Sequence, residues 1–306
     1  MKNIIQTEDL SKSFGETKAV DEISLHVRQG EIYGFLGLNG AGKTTTIRLL
    51  LGMIKADSGS IQLFGETPKQ ASQMWNDVGY LVETPHSYPD LSVRENLEVI
   101  AKLRGLANSQ VIDDIIDNLA LSQYRDKKAR YLSMGNNQRL GLAKALIHKP
   151  KLLILDEPIN GLDPAGIVEI RELLKKLVLE DETTIFLSSH ILSEIAKLAT
   201  RIGIVHNGRL IEELTSEELD RRIIRKLRIS TINNRKAMQI LNSGGFRFEE
   251  DHDKLITSED EKVLNQPERI ATLLVNEKMP PKMLDIFEED LESFFLRIIH
   301  SGEGAE

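Results

Sequence analysis

Gly37, Gly42, Lys43 and Thr44 stand at the spacing G-x-x-x-x-G-K-[ST] within GLNGAGKTT. That arrangement suits phosphate. Glycines let the backbone curl until successive N–H groups point inward, and a helix starting there adds the positive end of its dipole. Lys43 then reaches the β and γ phosphates and the Thr44 hydroxyl ligates Mg2+, with Asn39, Gly40 and Thr45 completing the nucleotide-binding set. A second element, LLILDEP, is an apolar run that ends abruptly in two carboxylates. Asp156, at its end, suits the magnesium shell, and Glu157 suits polarising a water for in-line attack on the γ phosphate. A strand followed by an acidic turn is common by itself. Beside a phosphate loop it points to hydrolysis of a nucleoside triphosphate.

These residues need a scaffold that delivers them to one place. Short β-rich runs alternate with segments of helical period between Ile4 and Val205. The strand candidates are Ile23 to Val27, Glu31 to Leu36, Val78 to Val82, Leu152 to Leu155, Thr184 to Leu187 and Arg201 to Val205. After Lys43, the residues Ile47, Leu50, Leu51 and Ile54 make one helical stripe, and Ile167, Ile170, Leu174 and Leu177 make another. Continuous apolar strands flanked by amphipathic helices predict an α/β core with a parallel sheet covered on both faces.

The pattern changes near residue 220, where EELDRRIIRK intervenes, so we expect one domain over residues 1–220 and a second over 224–306. The second reads as strand (LRISTI), helix (RKAMQILNSGG), strands (FRFEED, DKLITSE), helix (QPERIATLLVNEK) and strand (MLDIFEED). The order βαββαβ suits a small ferredoxin-like α+β unit. A last helix, DLESFFLRIIH, aligns Leu291, Phe294, Phe295, Ile298 and Ile299 on one face, for burial against the small sheet or for a membrane or partner contact.

Composition bounds the rest. The chain has no cysteine, which excludes a disulfide framework, a thiolate metal site and a cysteine nucleophile, and a reducing compartment is expected. The net charge of −8, with both signs mixed along the chain, argues against broad capture of nucleic acid, so no nucleic-acid partner is expected. MKNIIQTEDL lacks the basic start and apolar core of a signal peptide, and no stretch reaches the ~20 apolar residues of a membrane span. A soluble protein is expected, with any role at a membrane exercised through a partner.

The N-K-x-D motif of nucleotide-switch GTPases is absent, whereas LSMGNNQRLGLAKAL stands before the acidic strand. Its Leu132, Ser133, Gly135, Gln138 and Arg139 fit the relaxed form L-S-x-G-x-x-Q-R, which resembles the signature motif of ATP-binding cassette (ABC) proteins, a P-loop NTPase family. The resemblance covers roughly the first 215 residues and implies ATP and Mg2+ as ligands. It also implies that Ser133 and Gly135, at a helix N-terminus, serve the ATP of an opposite subunit, so that two chains close head-to-tail. It further marks Phe14 in LSKSFG as the aromatic that stacks on adenine, the alternative being an ordinary core phenylalanine. Asn160 to Asp163 match the D-loop, with Ile159 in place of the usual threonine, and His190 in FLSSHIL matches the switch histidine at the γ phosphate.

One departure stands out: Glu83, in VGYLVETPHSYPDLSVRENL, occupies the place where the family has a glutamine that touches magnesium. The alternative is a solvated surface carboxylate. The same substitution, with the sequences around the phosphate loop, SSHILSEI and DLESFFLRII, resembles the ATP-binding subunits of bacterial transporters that protect cells against bacitracin and lantibiotics. That resemblance implies an ATPase on the inner face of the cell membrane. It would be paired with a membrane-spanning permease subunit and drive efflux of a peptide antibiotic. The competing class is a soluble regulatory ATPase that binds a protein or nucleic acid through its tail. A binding module without turnover is disfavoured, because Lys43, Asp156, Glu157 and His190 are all present.

Overall fold

Every residue of IYGFL (β3, Ile32–Leu36), LLILD (β6, Leu152–Asp156) and TIFLSS (β7, Thr184–Ser189) is buried. Strands without a polar face fit only a sheet covered on both sides. A computed structural model of the chain, describing residues 2–68 and 73–303, places them at the centre of a six-stranded sheet. Its order is β5-β6-β7-β3-β8-β9, with β5 Val78–Leu81, β8 Arg201–His206 and β9 Arg209–Thr215. The ladders are parallel except for β8 with β9, which form an antiparallel edge.

A second, antiparallel sheet of order β2-β1-β4 joins β1 (Asn3–Phe14), β2 (Thr17–Arg28) and β4 (Ser58–Leu63). The alternating run at Ile23–Val27 belongs here rather than to the parallel sheet, because alternation marks a strand with one buried and one wet face. Neither β1 nor β4 is legible as a strand beforehand. β1 carries several register shifts and a left-handed Asp9 (φ 46°), and β4 is mostly exposed.

Helices α1 (Lys43–Leu50), α2 (Val93–Leu103), α3 (Gln110–Asn118), α4 (Met134–Leu146), α5 (Pro164–Asp181), α6 (Leu192–Ala196) and α7 (Ser216–Arg222) follow in chain order. The stripe Ile47, Leu49 and Leu50 of α1 enters one core with Phe35, Ile154 and Phe186 of the parallel strands, which anchors the helix behind the phosphate loop.

The chain separates into two compact units, Met1–Ser216 and Glu217–Glu306. In the second, β10 (Arg225–Ser230), α8 (Asn234–Ser243), β11 (Glu249–Glu250), β12 (Ile256–Ser258), α9 (Glu261–Leu264), α10 (Pro267–Asn276) and β13 (Met283–Glu288) precede α11 (Leu291–Glu303). The sheet runs β11-β12-β10-β13 with every pair antiparallel, the order of a ferredoxin-like βαββαβ unit. It has its own core, which includes Leu227, Ile229, Leu241, Ile256, Ile270 and Leu274. The strand expected at FRFEED shrinks to two residues, since the Asn242 side chain binds the N–H of Phe248 (2.9 Å) and its carbonyl (3.3 Å) in place of a ladder. Phe294, Phe295, Ile298 and Ile299 of α11 are buried.

Candidate active site

The loop after β3 turns through Gly40 (φ 83°) and Gly42 (φ 103°) and delivers Lys43 as the first residue of α1. A β-carbon on Gly42 would lie 2.2 Å from the Ala19 carbonyl oxygen, so this position needs glycine both for its φ and for its clearance. Gly37 is equally confined: its β-carbon would lie 2.6 Å from the Val205 carbonyl oxygen. Lys43 is almost fully buried. Its Nζ donates to the carbonyls of Gly37 (2.7 Å) and Leu38 (3.2 Å) and lies 3.5 Å from Glu157 Oε1.

Asp156 ends β6 in the centre of the sheet, 2 % exposed. Thr44 Oγ1 donates to its Oδ2 at 2.8 Å and Ser188 Oγ to its Oδ1 at 2.5 Å, so hydroxyls from α1 and from β7 converge on one buried carboxylate. Glu157 follows in the left-handed region (φ 50°), a conformation that costs a non-glycine residue of order 1–3 kcal/mol. Its N–H donates to Ser188 (Oγ 3.1 Å, carbonyl 3.2 Å), and its carbonyl accepts from Gln138 Nε2 at 3.1 Å. The side chain lies between two bases: Oε2 is 2.9 Å from His190 Nδ1 and Oε1 faces Lys43. Lys43, Thr44, Asp156, Glu157 and His190, drawn from three separate stretches of chain, therefore form one cluster.

The oxygen donors Thr44 and Asp156 fit a hard divalent cation. Mg2+ prefers few protein ligands and completes its shell with water and substrate phosphate. Among the described residues no group of three or more His, Asp or Glu side chains is placed to hold a metal.

Other predicted residues lie apart from this cluster. Phe14 ends β1 with 53 % exposure and Lys12 Nζ 5.6 Å from its ring centre, so the core-phenylalanine alternative fails and a free ring face is left for stacking. Ser133 caps α4 by accepting from Asn136 N–H, and Asp163 caps α5 by accepting from Gly166 N–H at 3.0 Å. Ser133, Gly135, Gly161 and Asp163 share a groove that no residue of the phosphate loop lines. Glu83 (φ 57°) is half exposed and bonds to the Arg48 guanidinium, whereas Thr44 and Asp156 bond to each other.

The match to known proteins agrees with this geometry. Residues 20–160 match the ABC transporter family model. Over 305 residues, 99 % of both chains, the protein is 41 % identical to the bacitracin transport ATP-binding protein of Bacillus licheniformis. The chain belongs to the ABC transporter family. It is also 36 % identical to the lantibiotic transport ATP-binding protein of Streptococcus pyogenes, over 69 % of this chain and 90 % of that one. A solved ATP-binding subunit of an ABC transporter superposes with a TM-score of 0.65 at 27 % identity, covering 72 % of this chain and 92 % of that one.

As an ABC cassette the protein is an ATPase whose fold is the α/β P-loop NTPase type. Two contributors to its site stand outside the roles the motifs assign. Ser188 binds both Asp156 and the N–H of Glu157. The signal is in the sequence, since Ser188 and Ser189 follow the apolar run Ile185 to Leu187 of β7 and stand just before His190. In the sequence Gln138 is one letter of the signature, yet its amide reaches the carbonyls of Glu157 and Pro158.

Proposed function

We propose that this chain is the ATP-hydrolysing subunit of a bacterial exporter that expels a peptide antibiotic of the bacitracin or lantibiotic kind through a separate membrane-spanning permease. The observation that carries the proposal is the match to a bacitracin transport ATP-binding protein over 99 % of both chains, tail included. The lantibiotic relative supports the same substrate class.

In the proposed reaction the phosphate loop and α1 hold the triphosphate while Lys43 leaves its carbonyl partners for the β and γ oxygens. Thr44, Asp156 and Glu83, the last on leaving Arg48, would hold Mg2+, which would supply charge neutralisation as the γ phosphate departs. Glu157 orients the attacking water, and His190, hydrogen-bonded to it, contacts the γ phosphate. Ser133, Gly135 and Asp163 serve the nucleotide of a second copy, so two chains close head-to-tail around two ATP molecules. Phe14 stacks on adenine. No helix among the described residues is long and apolar enough to cross a membrane. As the partner of a membrane-spanning permease, the chain works at the inner face of the cell membrane. A 570 Å³ groove lined by Tyr80, Glu83, Pro85, Leu103 and Lys144 lies next to the segment Tyr88 to Leu97 and offers the docking surface.

The decisive experiment expresses the chain with its permease in sensitive cells and measures growth against bacitracin and a lantibiotic. Protection that requires both genes and disappears with Lys43→Ala supports the reading. Full sensitivity to both compounds, with the two proteins present at the membrane, overturns it.

A further inference from the structure

Gln138 lies one turn into α4 and is 6 % exposed. Its Nε2 donates to two consecutive carbonyls, those of Glu157 and Pro158, both at 3.1 Å. Glu157 is a residue whose backbone needs outside support, because its φ of 50° is unfavourable for a side-chain-bearing residue. Ser188 grips its N–H from the sheet and Gln138 grips its carbonyl from the helix that begins at Ser133. The neighbouring residue, Asn137, donates from the same helix to the Pro85 carbonyl at 3.1 Å, in the loop that follows Glu83. One helix thus holds both the catalytic turn and the loop beside the docking groove.

We propose that Gln138 is a positioning residue for Glu157, and that it transmits the seating of the signature helix to the carboxylate of its own chain. The proposal rests on the reading of Glu157 as the water-orienting base. The physical reason is leverage. Turning the 157–158 peptide plane swings the Glu157 side chain, and a misplacement of about 1 Å at a reacting group costs about 10²-fold in rate. A buried amide with both N–H groups committed is a stiff support, since any tilt of α4 must either carry the turn along or break both bonds, leaving the Glu157 carbonyl with the Asn160 N–H at 3.1 Å alone.

The test replaces the amide by a chain of equal length without donors. Gln138→Met should lower kcat about 10- to 100-fold and leave the dissociation constant for Mg-ATP within about 3-fold, since Lys43 and Thr44 are untouched. Gln138→Lys, which restores N–H donors at similar reach, should recover at least part of that loss. In a Glu157→Gln background, Gln138→Met should change the residual single-turnover rate less than about 2-fold, because a residue acting through Glu157 has nothing left to act on. A kcat within about 2-fold of wild type overturns the proposal, as does a loss that adds in full to that of Glu157→Gln. Equal loss of ATP affinity also overturns it. Should Gln138→Met fail to fold, Gln138→Asn, one methylene too short to reach, carries the same expectations. Hydrolysis retained by Glu157→Gln defeats the assignment of the base itself, and so differs from the failure of Gln138 alone.

Discussion

Replacing Glu157 by glutamine changes a single oxygen to an amide nitrogen, and the surroundings of that group set the size of the effect. The backbone contacts to Ser188 and Gln138 involve only main-chain atoms of Glu157, so the left-handed turn survives. Thr44 and Asp156 keep their 2.8 Å contact, so the oxygens proposed for Mg2+ are unaltered. What disappears is the carboxylate proposed to accept a proton, together with its attraction to Lys43 at 3.5 Å and its 2.9 Å contact with His190 Nδ1. A general base contributes about 10²–10⁴-fold, so kcat should fall by that factor, about 3–5.5 kcal/mol in barrier height. ATP affinity should move the other way or not at all, because Lys43 loses a competitor for the phosphate oxygens. Phosphate release under saturating Mg-ATP measures the first, and equilibrium titration with a fluorescent nucleotide measures the second. An ATP-dependent dimer on size exclusion is a further expectation. Hydrolysis within about 10-fold of wild type, or a loss of affinity beyond about 10-fold, would refute the assignment of Glu157 as base.

Glu83→Ala should lose cellular protection more completely than ATPase activity in the isolated subunit, since Glu83 bonds to Arg48 and lines the proposed docking groove; equal fractional losses would count against a coupling role. A chain ending at Arg222 should still fold, bind Mg-ATP and capture the permease, because the first unit has its own core and contains every site residue; loss of capture by the folded truncation would move recognition into the tail. Burial lowers the Lys144 ammonium from 10.5 to about 8. Between those values the unfolded chain binds the proton and the folded chain does not, so the penalty of burying the charge is present below pH 8 and is relieved as pH rises toward 10.5. The melting temperature of Lys144→Met relative to wild type should therefore decline across that window, and a difference independent of pH would refute the burial argument.

The chemistry of this protein was legible in its sequence wherever residue type and local spacing are sufficient. The phosphate loop needs glycines at fixed steps before a lysine, as Gly37, Gly42 and Lys43 stand, and LLILDEP declares a buried strand ending in carboxylates. The tail was readable as βαββαβ because each element announces its own period and ends at its own turn, as the α8 helix does at Gly244. Strand pairing was beyond that reach. Polar, irregular β1 is a strand only because β2 and β4 lie on either side of it, and the Ile23–Val27 alternation marks a strand with one wet face without naming the strand it pairs with. The same holds within the site. Thr44 meets Asp156 across 112 residues and Glu157 meets His190 across 33, and such meetings depend on sheet order, which no local pattern encodes. The pairing of Glu83 with Arg48 and the reach of Gln138 to the Glu157 carbonyl have the same origin. Sequence determined which groups could bind and cleave a nucleotide. The packing of α1 and α4 against the parallel sheet decided which of them touch, because hydrogen bonds form between neighbours in space.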